Sequence, residues 1–247
     1  MTSFGQLFSV NLKIFYRNKS GFFWTLAMPA FIYIALSVLP IRNSFGQGAD
    51  YSDFILPGII AMVIMQGGIY GLAYWMTDLK ARGVIKRLNA TPIKPWELLL
   101  ALVASRILVI FGQVIVLTLL GVLVFHAKFA GNVLSVAVLA TLGGGIFLTL
   151  GLLISSFATS YDSAAPITSA IGLPMTFLGN IFYPISVLPH GLQVFAKCLP
   201  ITYLADGMRQ VYALPFAWAT FWPDAAILSA WLLGILLLTA RVFKLKE

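Results

Sequence analysis

Long apolar runs separated by short polar or basic segments dominate the chain. A helix rises about 1.5 Å per residue, so about 20 apolar residues cross a hydrocarbon core about 30 Å thick. Residues 22–41 form the first such run, free of charge and with Pro29 inside it. The second, 54–77, opens on Pro57-Gly58. The third, 98–125, is too long for one crossing; its core is 107–125 and 98–106 lies toward the inner surface, so the span is set at about 101–125. The fourth, 133–157, carries Gly143-Gly144-Gly145, and the fifth, 163–184, carries Pro166 and Pro174. The sixth, about 223–241, is short unless Arg241 and Lys244 snorkel from its end. A seventh span over 187–205 is disfavoured by Pro189, His190, Lys197 and Pro200. The pattern therefore predicts an all-α integral membrane protein of six transmembrane helices, with residues 22–247 as one transmembrane domain.

Three segments outside the spans have patterns of their own. Phe4, Leu7, Phe8, Leu12 and Phe15 recur at helical spacing, while Gln6, Ser9, Lys13 and Arg17 occupy the other faces. Residues 1–21 are thus read as an amphipathic helix lying at the cytoplasmic interface. In the loop 78–97, a short helix over 79–89 is expected to stop at Thr91-Pro92. Val84, Ile85 and Leu88 make a small apolar stripe among Lys80, Arg82, Lys86 and Arg87. Such a helix either meets a protein partner or docks on lipid headgroups. Residues 186–213 read as two short helices broken at Pro200, dipping back into the outer leaflet as a re-entrant segment between spans five and six. Leu188, Leu192, Phe195 and Leu199 share a face of the first; Leu204, Met208 and Val211 share one of the second. Asp206 and Arg209, three apart, are placed to pair. Trp218, Phe221 and Trp222 form an aromatic belt before the last span.

Composition and charge sharpen this picture. Hydrophobic residues make up 60% and charged residues 10% of 247, too few polar side chains to cover a soluble surface. The net charge of +8 gathers at the ends of the runs, which argues for membrane orientation and against nucleic acid. With the N-terminus inside, cytoplasmic segments hold eleven Lys and Arg residues and external ones four, Arg42, Lys128, Lys197 and Arg209. Both termini are therefore expected in the cytoplasm. The first run is too long for a signal-peptide core, so no cleaved leader is expected. Cys198 is alone and cannot form an internal disulfide. His126 and His190 lack partners at metal-ligand spacing, and no GxxxxGK[ST] loop occurs, so neither a metal site nor ATP binding is expected in this chain. No catalytic constellation is visible, and the spans lack the buried acid that ion coupling needs. Arg106 is placed near the inner boundary, snorkelling. Gln66, Tyr70, Gln113, Thr176 and Asn180 are the polar groups inside the spans, suited to helix packing or to lining a route.

Four stretches carry a resemblance. They are NLKIFYRNKSGFFWTLAMPAFI (11–32), YSDFILPGII (51–60), DLKARGVIKRLNATP (78–92) and FYPISVLPHGLQVFAKCLPITYLADGMR (182–209). Together they resemble the membrane subunit of bacterial type-2 ATP-binding cassette (ABC) exporters, the half-size permeases of the drug-efflux and nodulation-export kind. One departure stands out: Ala81-Arg82 precede Gly83 where the family loop usually carries an acidic residue. The resemblance implies a multi-pass protein of the bacterial cytoplasmic membrane. Its partners would be a second permease copy (the same chain or a related one), two copies of a separate ATPase subunit and membrane lipid. ATP and Mg would be bound by the ATPase, not here. Leu79, Arg82, Val84, Ile85, Lys86, Arg87 and Leu88 would couple to that subunit. Met62, Gln66, Tyr70, Thr176, Phe177 and Asn180 would line the pathway. Pro184, Pro189, Pro200, Tyr203, Asp206 and Arg209 would shape the external re-entrant segment. The implied function is export of an amphiphilic small molecule (drug, antibiotic or lipid) by alternating access, without chemistry by this chain. A polysaccharide or glycolipid permease, or a membrane scaffold that moves nothing, is the alternative.

Overall fold

The computed structural model describes residues 3–38, 51–88, 94–127, 129, 132–212 and 218–243. Within them the chain is helical and carries no strand: α1 (Ser3–Arg17), α2 (Lys19–Ser37), α3 (Tyr51–Ala81), α4 (Val84–Leu88), α5 (Pro95–Val124), α6 (Val133–Phe157), α7 (Tyr161–Leu178), α8 (His190–Lys197), α9 (Pro200–Tyr212) and α10 (Trp218–Val242), with a 3₁₀ turn at Ile185–Val187. Five of these are long and apolar enough to cross a membrane: α2, α3, α5, α6 and α10. It is a multi-pass membrane protein.

Local chemistry sets the breaks. The Asn18 side chain accepts from the Gly21 amide at 3.0 Å, ending α1 and capping α2. α7 starts on a Ser160–Ser163 capping box, two residues before the expected start of the fifth span. It also ends at Leu178, not at 184, so its 18 residues span about 27 Å. The third run forms one uninterrupted helix, α5, so 98–106 continues directly into the rest of that span. The expected 79–89 helix is divided: Leu79 to Ala81 finish α3, Arg82 and Gly83 turn, and only Val84–Leu88 form α4. The end of the first predicted span (39–41), the stop at Thr91-Pro92, and Lys244 and Lys246 lie outside the described residues.

α3 and α6 form the centre. In α3, 78% of the apolar window is buried, and 61% in α6, against 11% in α2 and 22% in α10. The two axes approach closely where both carry glycine. A Cβ on Gly151 would stand 2.8 Å from the Gly68 carbonyl oxygen, and one on Gly68 would strike Phe147. The glycine run 143–145 serves packing too, Gly143 facing Leu204 and Ile64, Gly144 facing Ile110 and Gly145 facing Leu232. α9 buries Ile201, Leu204, Met208 and Val211 on this centre. In α8, by contrast, Leu192 and Phe195 of the expected apolar face are exposed. α1 lies along α5, with Leu7, Phe8, Leu12 and Phe15 partly covered and Lys13 and Arg17 exposed.

Candidate functional site

A cleft of about 670 Å³ opens between α2, α3 and α5, with Tyr161 of α7 at its margin. α3 supplies Met62, Gln66, Tyr70 and Tyr74, which recur every four residues and so share one face. The rings continue across the gap, Tyr70 to Tyr74 at 5.9 Å between centroids and Tyr74 to Tyr161 at 4.8 Å. The Tyr74 hydroxyl shares a hydrogen bond with Thr168 at 2.8 Å, which ties this wall to α7. α2 contributes Trp24, Thr25, Met28 and Ile32.

One wall exists because of a proline. Pro29 has no amide hydrogen, so it cannot bond the Thr25 carbonyl four residues back. Gln113 of α5 donates to that carbonyl instead, Nε2 to oxygen at 2.9 Å. In lipid a carbonyl with no donor is costly, so the pair holds α2 to α5 at the back of the cleft. Arg106, one heptad before Gln113 and on the same face, lines the cleft too. Its guanidinium sits over Trp75 at 5.1 Å and near Phe15 of α1 at 5.9 Å. No hydrogen bond or ion pair to another described residue holds it.

Of the residues expected to line a pathway, Met62, Gln66 and Tyr70 face this cleft, whereas Thr176, Phe177 and Asn180 do not. The Thr176 hydroxyl turns back to the Gly172 carbonyl at 2.8 Å, and Phe177 is exposed. Asn180 is buried, with a left-handed φ of 58° just past the end of α7. Its amide donates to Asp206. Arg209 completes this second cluster. It pairs with Asp206 at 3.4 Å, donates to the carbonyls of Asn180, Ile181 and Phe54, and covers the Phe54 ring at 3.9 Å. It thus satisfies backbone oxygens freed where α7 ends and links them to the start of α3. Tyr51 reinforces the junction, its hydroxyl donating to the Phe182 carbonyl at 3.0 Å. Pro184 precedes the 3₁₀ turn, Pro189 precedes α8 and Pro200 opens α9, while the Tyr203 hydroxyl donates to the Lys197 carbonyl at 2.7 Å.

The third feature hangs from the opposite end of α3. Gly83 adopts φ 66°, a left-handed conformation that redirects the chain into α4. Asp78 and Arg82 pair at 2.8 Å on the surface, and Arg87 donates to the Arg82 carbonyl at 3.1 Å, closing the turn. Ile85 is buried against the helices above, Leu79 is partly buried, and Arg82 and Arg87 face outward. The side chains of Lys86 and Leu88 lie outside the described residues. Lys80 donates to the Ser155 carbonyl near the end of α6 at 2.9 Å, so the base of α4 is anchored to the central pair.

The sequence reading passed over Thr25, Tyr74 and Tyr161 in the cleft. Trp24 and Tyr161 are exposed aromatics that look the same as lipid-facing ones in a linear pattern. Arg106 and Gln113 had offered a signal, as the two strongly polar residues seven apart in one span.

Comparison with known proteins gives a consistent set of relatives. Residues 2–213 match the model of the ABC-2 type transporter family. The probable multidrug ABC transporter permease YbhR of Escherichia coli K12 is 24% identical over 191 residues, covering 76% of this chain and 52% of that protein. The inner membrane transport permease YadH of the same strain is 24% identical over 185 residues, 74% of this chain and 72% of YadH. Nodulation protein J of Bradyrhizobium diazoefficiens is 26% identical over 194 residues, 70% of each chain. The chain thus spans about half the length of YbhR.

Proposed function

The chain belongs to the ABC-2 type transporter family, and on that premise we propose that it is the permease subunit of an ATP-driven exporter of amphiphilic molecules. In this reading α7 is the fifth of six crossings, both termini are cytoplasmic, α1 lies along the inner leaflet and α8–α9 cap the outer end. A second permease copy completes the membrane part, covering helix faces such as that of α2, and two separate ATPase subunits bind ATP and Mg and hydrolyse the nucleotide. Substrate enters a path bordered by α3, and closure of the ATPases pushes α4 to reorient the spans.

The observation that carries this reading is α4: five residues, set off by Gly83, with Arg87 outward and Ile85 packed into the helix ends. A helix so short has no stability alone. Hung rigidly from the most buried span and exposing basic side chains, it suits a push from an acidic surface. The test is purification of the full chain with its associated ATPase. Arg87→Glu is expected to reduce co-purified ATPase activity at least about tenfold through charge reversal at a paired site, with unchanged amounts of permease in the membrane. A chain that purifies without any ATPase, or an Arg87→Glu complex with full activity, defeats the reading.

A further inference from the structure

We propose that the cleft between α2, α3 and α5 binds the anionic head group of an amphiphile against Arg106; taking that amphiphile as the cargo rests on the exporter reading above. The charge inventory supplies the first reason. Among the described residues lining the cleft, Arg106 is the one that is charged. The described carboxylates are engaged or remote: Asp78 pairs with Arg82, Asp206 with Arg209, and Asp224 accepts from Gln210. Asp53 and Glu97 have interactions of their own, and Asp162, although beside Tyr161, is exposed and forms no ion pair with Arg106. An arginine kept in an apolar wall with no countercharge is complemented by an anion brought by a ligand.

Geometry supplies the second. Trp75 and Phe15 hold the guanidinium through their rings, at 5.1 and 5.9 Å, and rings leave its N–H edge unused. A planar fork of free donors matches a carboxylate or phosphate. Gln66 and Tyr70 face the same space, and neither has a hydrogen-bond partner among the described residues. Much of the remaining lining is apolar, with Met28, Pro29 and Ile32 from α2 and Val109 and Ile110 from α5. The volume of about 670 Å³ admits a head group and part of one chain. A cation would meet like charge, and an uncharged amphiphile would leave the guanidinium unpaired.

The test uses the full chain purified in dodecyl maltoside, with whatever ATPase accompanies it. Tryptophan emission, to which Trp24 in the cleft and Trp75 against Arg106 contribute, is followed while dodecyl phosphate is added. Dodecyltrimethylammonium and inorganic phosphate are titrated in parallel. Saturable binding of dodecyl phosphate is expected, at least about tenfold tighter than the cation, because like charges at close range repel. Inorganic phosphate is expected to leave the signal unchanged at the same concentrations, which separates an amphiphile site from a simple anion site. Arg106→Gln should weaken dodecyl phosphate about tenfold or more, and Arg106→Lys less, since a point charge replaces the fork. Trp24→Phe should lower the signal amplitude. Equal affinity for anion and cation in the unaltered protein overturns the proposal even if no variant folds. Undiminished binding by a folded Arg106→Gln overturns it as well, as does loss of self-association in that variant with probe binding unchanged, which would make Arg106 an interface residue. ATPase co-purification is scored separately, so a permease that couples to ATP yet shows no anion preference fails this inference and not the exporter reading.

Discussion

Arg209 organises the end of the bundle where α7 stops. Its charge is paired with Asp206, but most of its donors go to backbone carbonyls of Asn180, Ile181 and Phe54. Removing it takes a donor from each of those oxygens and leaves the carboxylate with the Asn180 amide alone. Arg209→Leu is therefore expected to destabilise the protein by about 2–3 kcal/mol, read as a lower melting temperature in detergent, with Arg209→Lys in between. The pairing with Asp206 was legible from the i, i+3 spacing; the carbonyls were not, because they lie 28 to 155 residues away. Gln113 makes a related case across one helix contact. Gln113→Leu should cost about 1 kcal/mol by stripping the Thr25 carbonyl of its donor. In a Pro29→Ala background the residue-29 amide can bond that carbonyl, so the same change should cost distinctly less. Equal losses in the two backgrounds would show that the proline has no part in the contact.

Among the elements, the crossing of α3 and α6 decides the architecture. Gly68 and Gly151 let two backbones meet where any side chain would intrude. Gly151→Val should destabilise the bundle by about 1–3 kcal/mol through overpacking, visible as reduced folded yield and a lower melting temperature. Gly234 of α10, with open space around it, should tolerate valine far better. The glycine run 143–145 drew attention in the sequence, yet the close approach of α3 and α6 pairs Gly68, half of a Gly67-Gly68 doublet, with Gly151 in a different helix. Periodicity within a segment carries no record of which segment faces it. The short α4 shows the same limit. Its basic and apolar residues were readable, but the division of 79–89 was not, since that depends on Gly83 taking a left-handed φ where a helical one was equally open to it.

For the molecule as a whole, the uneven burial of the spans indicates what surrounds it. α3 is enclosed by its neighbours, while α2, α5 and α10 leave most of their apolar windows uncovered, as lipid or a second copy requires. Among the described residues five helices meet the length and composition of a crossing; α7 is not one of them, and its status sets the side of everything after it. With the N-terminus inside, as proposed above, Cys198 is outside if α7 crosses and inside if it does not. This cysteine is exposed and is the protein's single thiol, so it reports directly. A membrane-impermeant maleimide is expected to label it in intact spheroplasts, and labelling only after lysis would refute a crossing by α7.

Some of this protein was determined by its sequence alone. Membrane residence, the approximate positions of the long helices, the amphipathic α1 and the basic loop after α3 follow from composition and from periodicity within single segments. These are properties of local stretches meeting lipid, water and the headgroup charge between them. The cleft and its unpaired Arg106, the replacement of a proline's missing hydrogen bond by Gln113, and the carbonyls gathered by Arg209 were decided only by tertiary structure. Each joins groups far apart in the chain, and their partners are backbone atoms or rings that every sequence of this kind has in abundance. Which of them meet depends on how the helices cross, and that was set by close approaches such as the one at Gly68 and Gly151.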